Sequence, residues 1–347
     1  MLPLRRRILP LSCVFLGAPI AAEYLQAYLP FTGELWASLF GIIFFAPLYG
    51  GAALLIREVA VRTGMGWPGT LLLAAAFGLT MTGIIDLSMF GEDRADVPYW
   101  AEMREPTLIE PLGFSVATTI SWVVGHVLMS VGAPLALLYA LAPAHRGRPL
   151  LGKVGIPLTL VCAAIVALAV HQDGQQAYGY TLGAGRATAV LAVVVLLVVI
   201  AFVLPTRAGQ RSRARAPRAG EDSRPPIAAA VVVTAGVGLK LAVDLMPSTW
   251  VGVAGTVVVL AVAGIGLRRV STRRGWGPRE IGLLGAGLVI GAILIGFLAP
   301  VPEGVPAAAK FAQSSVLLAL ALALPWLVLR RTAPAQRTST ETREIPT

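Results

Sequence analysis

Residues 187–204 read Ala187-Thr-Ala-Val-Leu-Ala-Val-Val-Val-Leu-Leu-Val-Val-Ile-Ala-Phe-Val-Leu204, with no charge among them. Arg186 stands before the run and Pro205 after it, which marks a helix over 186–205. Crossing about 30 Å of hydrocarbon takes about 20 apolar residues in a helix, so this stretch has the length and composition of a membrane span. A helix that is apolar on every side has no face to give to water.

The segment that follows is its opposite. Residues 206–226 carry six arginines among Ala, Gly, Ser and Pro and have too little apolar surface to offset the cost of ordering. They read as a basic, disordered cytoplasmic linker. Working outward, nine further apolar runs are bounded by charges, prolines and aromatics: 8–28, 36–56, 67–90, 113–141, 153–171, 227–246, 248–267, 280–299 and 309–329. The turn over Asp244–Thr249 is the least sharply marked boundary, which leaves eight to ten crossings open. The expected fold is an all-α polytopic transmembrane bundle of about ten spans. A six-helix half (1–205) with polar residues precedes the linker, and a four-helix half (227–330), a scaffold of Val, Ala, Leu and Gly, and a tail (331–347) follow it.

Composition agrees. The chain of 347 residues is 56% hydrophobic and 13% charged, with a mean hydropathy of +0.76, more apolar surface than a soluble core of this size buries. Its net charge of +10 is spread in short clusters between apolar runs, which argues for membrane orientation and against a nucleic-acid partner. Of the Lys and Arg residues, 23 fall in alternate connections and 4 in the others. Positive residues mark cytoplasmic loops, so both termini are expected inside, in a bacterial cytoplasmic membrane. The start, Arg5-Arg6-Arg7 before apolar Ile8–Ala22, has the outline of a signal peptide, but a second apolar span begins about a dozen residues later, and a retained first helix fits better. Cys13 and Cys162 both lie in apolar runs and read as packing residues.

Ionisable groups inside a membrane are costly and mark function. His126 lies near the middle of the fourth span, with Trp122 one turn before it. A neutral imidazole there can hold a ligand, relay a proton or make an interhelical hydrogen bond. Asp86 stands toward the outer end of the third span, after Thr80 and Thr82. Spans three and four are sequence neighbours, so His126, Trp122, Asp86, Thr80 and Thr82 are the expected lining of one polar cavity or ligand site. Lys240 and Asp244, four apart, share a helix face as an ion pair. Glu23 and the Arg57-Glu58 pair read as interfacial. Six carboxylates (Glu92, Asp93, Asp96, Glu102, Glu105 and Glu110) make an acidic outer loop around Trp100. Gly147-Arg-Pro-Leu-Leu-Gly152-Lys153-Val154 misses a phosphate-binding loop at its last position, where Val154 replaces the magnesium-binding hydroxyl, and no strand precedes it. No catalytic, cofactor or metal motif is expected.

From Leu54 to Leu151 the chain resembles an uncharacterised group of actinobacterial multi-pass membrane proteins. The resemblance rests on Leu55-Ile-Arg57-Glu58-Val-Ala-Val-Arg62-Thr-Gly64-Met-Gly66-Trp67-Pro68, on Ala76-Phe77-Gly78-Leu79, and on His126-Val-Leu-Met-Ser130 through Pro134-Leu-Ala-Leu. That group in turn is similar to the CPBP intramembrane proteases of CAAX-processing type, in which paired glutamates and histidines hold a metal that activates water. Trp122-x-x-x-His126 is similar to their aromatic-x-x-x-His element. Thr80, Met81 and Thr82 stand where the glutamate pair would be, so the resemblance implies a catalytically silent relative without the general base. The expected role is non-catalytic: binding of a lipid, a peptide or small molecule, or a partner subunit, in contact with the bilayer. The alternatives are a transporter of a small solute and, less favoured, a metal-dependent intramembrane hydrolase.

Overall fold

The computed structural model describes residues 2–94, 97–203, 227–271 and 276–333. The basic linker (206–226), the tail beyond 333 and Asp96 of the acidic loop lie outside the described residues. Among those described, ten helical rods are present: α1 Leu4–Tyr24, α2 Leu35–Thr63, α3 Trp67–Ile85, α4 Val116–Leu141, α5 Gly155–Tyr178, α6 Ala184–Val203, α7 Ala229–Asp244, α8 Trp250–Ser271, α9 Pro278–Leu298 and α10 Ala307–Thr332. Nine are long and apolar enough to cross a membrane. The exception, α7, has 16 residues, so it spans about 24 Å at 1.5 Å per residue. The ten expected runs are therefore all helices, and the seventh is the short one. Strand is confined, among the described residues, to a two-residue antiparallel pair, Leu108–Ile109 with Phe114–Ser115, in the loop between α3 and α4. The protein is an all-α, multi-pass membrane bundle.

The most enclosed rod is α9, with fourteen of its 21 residues buried. Glycine makes this possible. A Cβ on Gly285 would stand 2.9 Å from the Cβ of Ala136 in α4, one on Gly291 2.8 Å from the Cβ of Lys240 in α7, and one on Gly296 2.7 Å from the carbonyl of Leu25. Gly287 meets the backbone of Val233 and Gly236. Small residues let helix backbones approach closely in lipid, where packing replaces the hydrophobic effect as the driving force. The second half of the chain thus supplies the central helix on which α1, α4 and α7 close, beyond the scaffold role read from its composition. Pro278 opens α9, and Glu280 accepts a hydrogen bond from the Gly277 amide at 2.9 Å, a cap that satisfies one orphan donor. By contrast α5, α6 and α8 keep most of their apolar surface outward, toward lipid.

Polar groups tie the rods together at both ends. Lys240 and Asp244 form the expected ion pair, and Asp244 also accepts from Gln26 Nε2 at 2.8 Å, joining α7 to the end of α1. Glu58, read from the sequence as interfacial, is 2% exposed. Its carboxylate takes Arg62 at 3.1 Å, Arg57 at 3.5 Å and the amides of Leu150 and Leu151, so the loop between α4 and α5 is fastened to α2. A buried charge persists only when its hydrogen-bonding positions are filled in this way.

We predict that Gly287→Val destabilises the detergent-solubilised protein by about 1–3 kcal/mol, the usual cost of forcing methyl groups into a packed contact. Gly264→Val in α8, where a Cβ meets open space, should change little. Equal thermal shifts for the two variants would refute the close-packed role of α9.

Candidate functional site

Each of the first four rods changes its winding part-way along. The hydrogen bonding passes to a π-type turn over Ile20–Tyr24 in α1, Ala46–Gly50 in α2, Met81–Ile85 in α3 and His126–Gly132 in α4. The wider spacing is explicit where the Asp86 amide bonds to Met81 O at 2.8 Å, five residues back, and where the amides of Gly51 and Ala133 reach Ala46 and Leu128. The sequence supplies the cause in three of them: Pro19, Pro47 and Pro134 sit within or beside the widened turns. Proline removes an amide donor and crowds the preceding turn, and an inserted residue relieves both. Such turns are rare and frequently occur at functional sites.

Three of the four turns carry side chains that meet. Glu23, in the turn of α1, accepts hydrogen bonds from the hydroxyls of Tyr28 and Tyr49. Tyr49, in the turn of α2, lies 3% exposed and stacks on the His126 imidazole with centroids 5.8 Å apart and planes 20° from parallel. Phe77 of α3 meets the edge of both rings, at 5.6 Å from His126 and 6.2 Å from Tyr49. Behind His126, its Nδ1 pairs with Ser130 Oγ at 2.9 Å. The close approach that permits this is at Gly78, where a Cβ would stand 3.0 Å from that of His126. A line of polar groups, Glu23, Tyr49, His126 and Ser130, therefore runs across the bundle from α1 to α4.

No family model, curated protein or solved structure matches this chain. The site must speak through its own geometry.

Of the five residues the sequence singles out, His126 touches Tyr49 through its ring, and Asp86 stands at the end of the widened turn of α3. Asp86 also closes its own turn, accepting from the Ser88 amide at 2.8 Å. The two threonines do not present free hydroxyl protons. Thr80 donates to Ala76 O at 2.8 Å and Thr82 to Gly78 O at 3.1 Å, bonds back to their own helix that spare each hydroxyl a partner elsewhere. Trp122 turns outward, one helical turn from His126, and stacks on Trp100 of the outer loop at 5.7 Å.

That outer loop folds over the mouth of α3–α5. Trp100 is 5% exposed, donates Nε1–H to Gly91 O at 3.2 Å and packs on Tyr178 at the end of α5. Arg94 donates to the Tyr178 hydroxyl at 2.8 Å and lies over its ring. The acidic loop thus keeps its described carboxylates, Glu92, Asp93, Glu102, Glu105 and Glu110, exposed while it buries Trp100 against Tyr178 beneath them. His171 of α5 adds a bond to Ile84 O at 2.7 Å, within the widened turn of α3.

The sequence reading missed Glu23, Tyr28 and Tyr49. Two signals were present: a carboxylate flanked by tyrosines within an apolar run, and Tyr49 within Pro47-Leu-Tyr49-Gly50-Gly51, a stretch rich in helix-weakening residues. Among the described residues no three His, Cys, Asp or Glu side chains lie close enough to hold a metal ion. What the arrangement offers is a carboxylate with unused capacity: two oxygens provide about four acceptor positions, of which the tyrosines take two.

Tyr49→Phe should cost about 1.5–3 kcal/mol, the range for a hydrogen bond to a charged group. Tyr28→Phe should cost less, since Tyr28 is 42% exposed and water can replace it. Denaturant unfolding in detergent checks the order, and a larger loss at Tyr28 would contradict the placement of Glu23.

Proposed function

We propose that this chain is a non-catalytic binding protein of a bacterial cytoplasmic membrane, whose first four rods hold a site for the cationic head of a small or membrane-borne ligand. The observation that carries the reading is Glu23, a carboxylate in the widened turn of α1 held by two tyrosine hydroxyls, one of them from Tyr49, whose ring packs on Phe77 and His126. A carboxylate held by tyrosines suits an ammonium group, which pairs with the charge and lies over an aromatic ring. Membrane carboxylates are expensive to maintain without such a use. Tyr28, 42% exposed, leaves one side of the carboxylate open to the surroundings. The implied kinship with silent relatives of the CPBP proteases fits a fold kept for binding.

Isothermal titration with benzylammonium and its neutral counterpart benzyl alcohol tests this. The wild-type chain should prefer the ammonium, and Glu23→Gln should weaken that binding about tenfold, since charge-assisted hydrogen bonds are the strong ones. Equal affinity for the two probes would end the proposal.

A transporter reading draws on a separate observation, the widened turns in four consecutive spans, because interrupted helices suit alternating access. Proteoliposome uptake of the same ammonium probe, driven by a pH gradient and abolished by His126→Ala, would favour transport over static binding.

A further inference from the structure

On the Arg-rich side of the bundle, far along α4 from His126, a cleft of about 320 Å³ opens between the end of α2, the start of α3 and the end of α4. We infer that this cleft binds the phosphate group of an anionic phospholipid, with the lipid's apolar part against the bundle. The inference uses residues separate from the Glu23 site and stands independently of it.

Two kinds of group on the cleft wall suit an oxyanion. The first is cationic. Arg146 lies over the Tyr139 ring at 5.3 Å and spends two donors on the Tyr139 and Ala140 carbonyls, at 2.6 and 3.2 Å. A guanidinium has five donors, so three remain, and among the described residues Arg146 has no carboxylate partner. Arg57, also on the wall, donates to the His145 and Arg148 carbonyls at 2.7 and 3.1 Å, which fixes the loop that carries Arg146. Among the described residues the carboxylate close by is Glu58, already saturated by Arg57, Arg62 and two amides. The surroundings therefore keep an excess of positive charge.

His145 fixes this wall rather than offering it a donor: its Nε2–H donates to the Arg6 carbonyl at 2.9 Å and ties the loop to the start of α1. The second is the first turn of α3. Gly66, Trp67 and Thr70 line the cleft, and the capping position is a glycine with no side chain to satisfy the opening amides. Helix starts of this kind favour anions.

The remaining wall decides between a lipid and a soluble phosphate. Val61, Met65, Leu135 and Leu138 continue the cleft as an apolar surface, and Trp67 meets Tyr139 edge to face at 6.2 Å, as amphipathic rings do at a membrane interface. A free phosphate has no use for that surface; an acyl-bearing phosphate does.

The full-length chain, purified in detergent with equal phosphatidylglycerol and phosphatidylcholine and read by native mass spectrometry, tests the inference. Phosphatidylglycerol should be retained in preference. Arg146→Gln should lower that preference about fivefold, the effect of one basic residue near an anionic surface. Because Arg146 also caps α4, Val61→Glu provides a second arm: it places a carboxylate on the wall without touching any cap, and the same fall is expected. If Arg146→Gln does not fold, Val61→Glu alone decides. Millimolar inorganic phosphate should leave lipid retention unchanged; displacement by it would assign the cleft to a soluble phosphate compound instead. No preference in the wild type, or an unchanged preference in Val61→Glu, overturns the inference.

Discussion

In hydrocarbon a peptide group has no water to turn to, and every amide and carbonyl must find its partner within the protein. This constraint accounts for the helices and also for how they deviate. Where proline withdraws a donor in α1, α2 and α4, the chain cannot break its ladder open. It re-pairs the backbone over five residues and carries on. Each such turn re-aims the side chains on it relative to the rest of its helix. Glu23, Tyr49 and His126 all ride on these turns, so the polar line is a by-product of keeping backbone hydrogen bonds intact around imperfect helix formers.

The second constraint is contact distance. Lipid tails are as apolar as leucine, so nothing squeezes the rods together except packing and interhelical bonds. Glycine on α9 lets α4, α7 and the chain just beyond α1 touch it at close range. Two of the buried charges are well met: Glu58 by two arginines and two amides, Lys240 by Asp244. The site around Glu23 differs from these, because tyrosine hydroxyls leave part of its accepting capacity open.

Much of the bundle was legible in order of residues. Each apolar run became a rod, and the weak boundary at Asp244 sits at the end of the one rod too short to cross by length. The Lys240–Asp244 pair followed from four-residue spacing. The candidate site was legible only in part. His126 stood out because histidine is rare in a span, while Thr80 and Thr82 looked like cavity residues and proved to bond their own helix. Glu23 was assigned to an interface because its position near a span end is compatible with water, and nothing in the sequence reports that Tyr49 from another helix reaches it. Trp122 and His126 share a helix face by spacing, but Trp100 and Tyr49 draw them to different neighbours.

By itself the sequence determined that this protein is a multi-pass helical membrane protein, because hydropathy and length are local sums that need no knowledge of neighbours. It also set where helices would be weakened, through proline and glycine. Only the tertiary structure decided that α9 lies at the centre, that the acidic loop buries Trp100, and that a carboxylate from α1 meets a tyrosine from α2 whose ring in turn meets an imidazole from α4. Those outcomes depend on which helices stand side by side and at what rotation. Side-chain packing fixes both across residues far apart in the chain, and no local pattern records them.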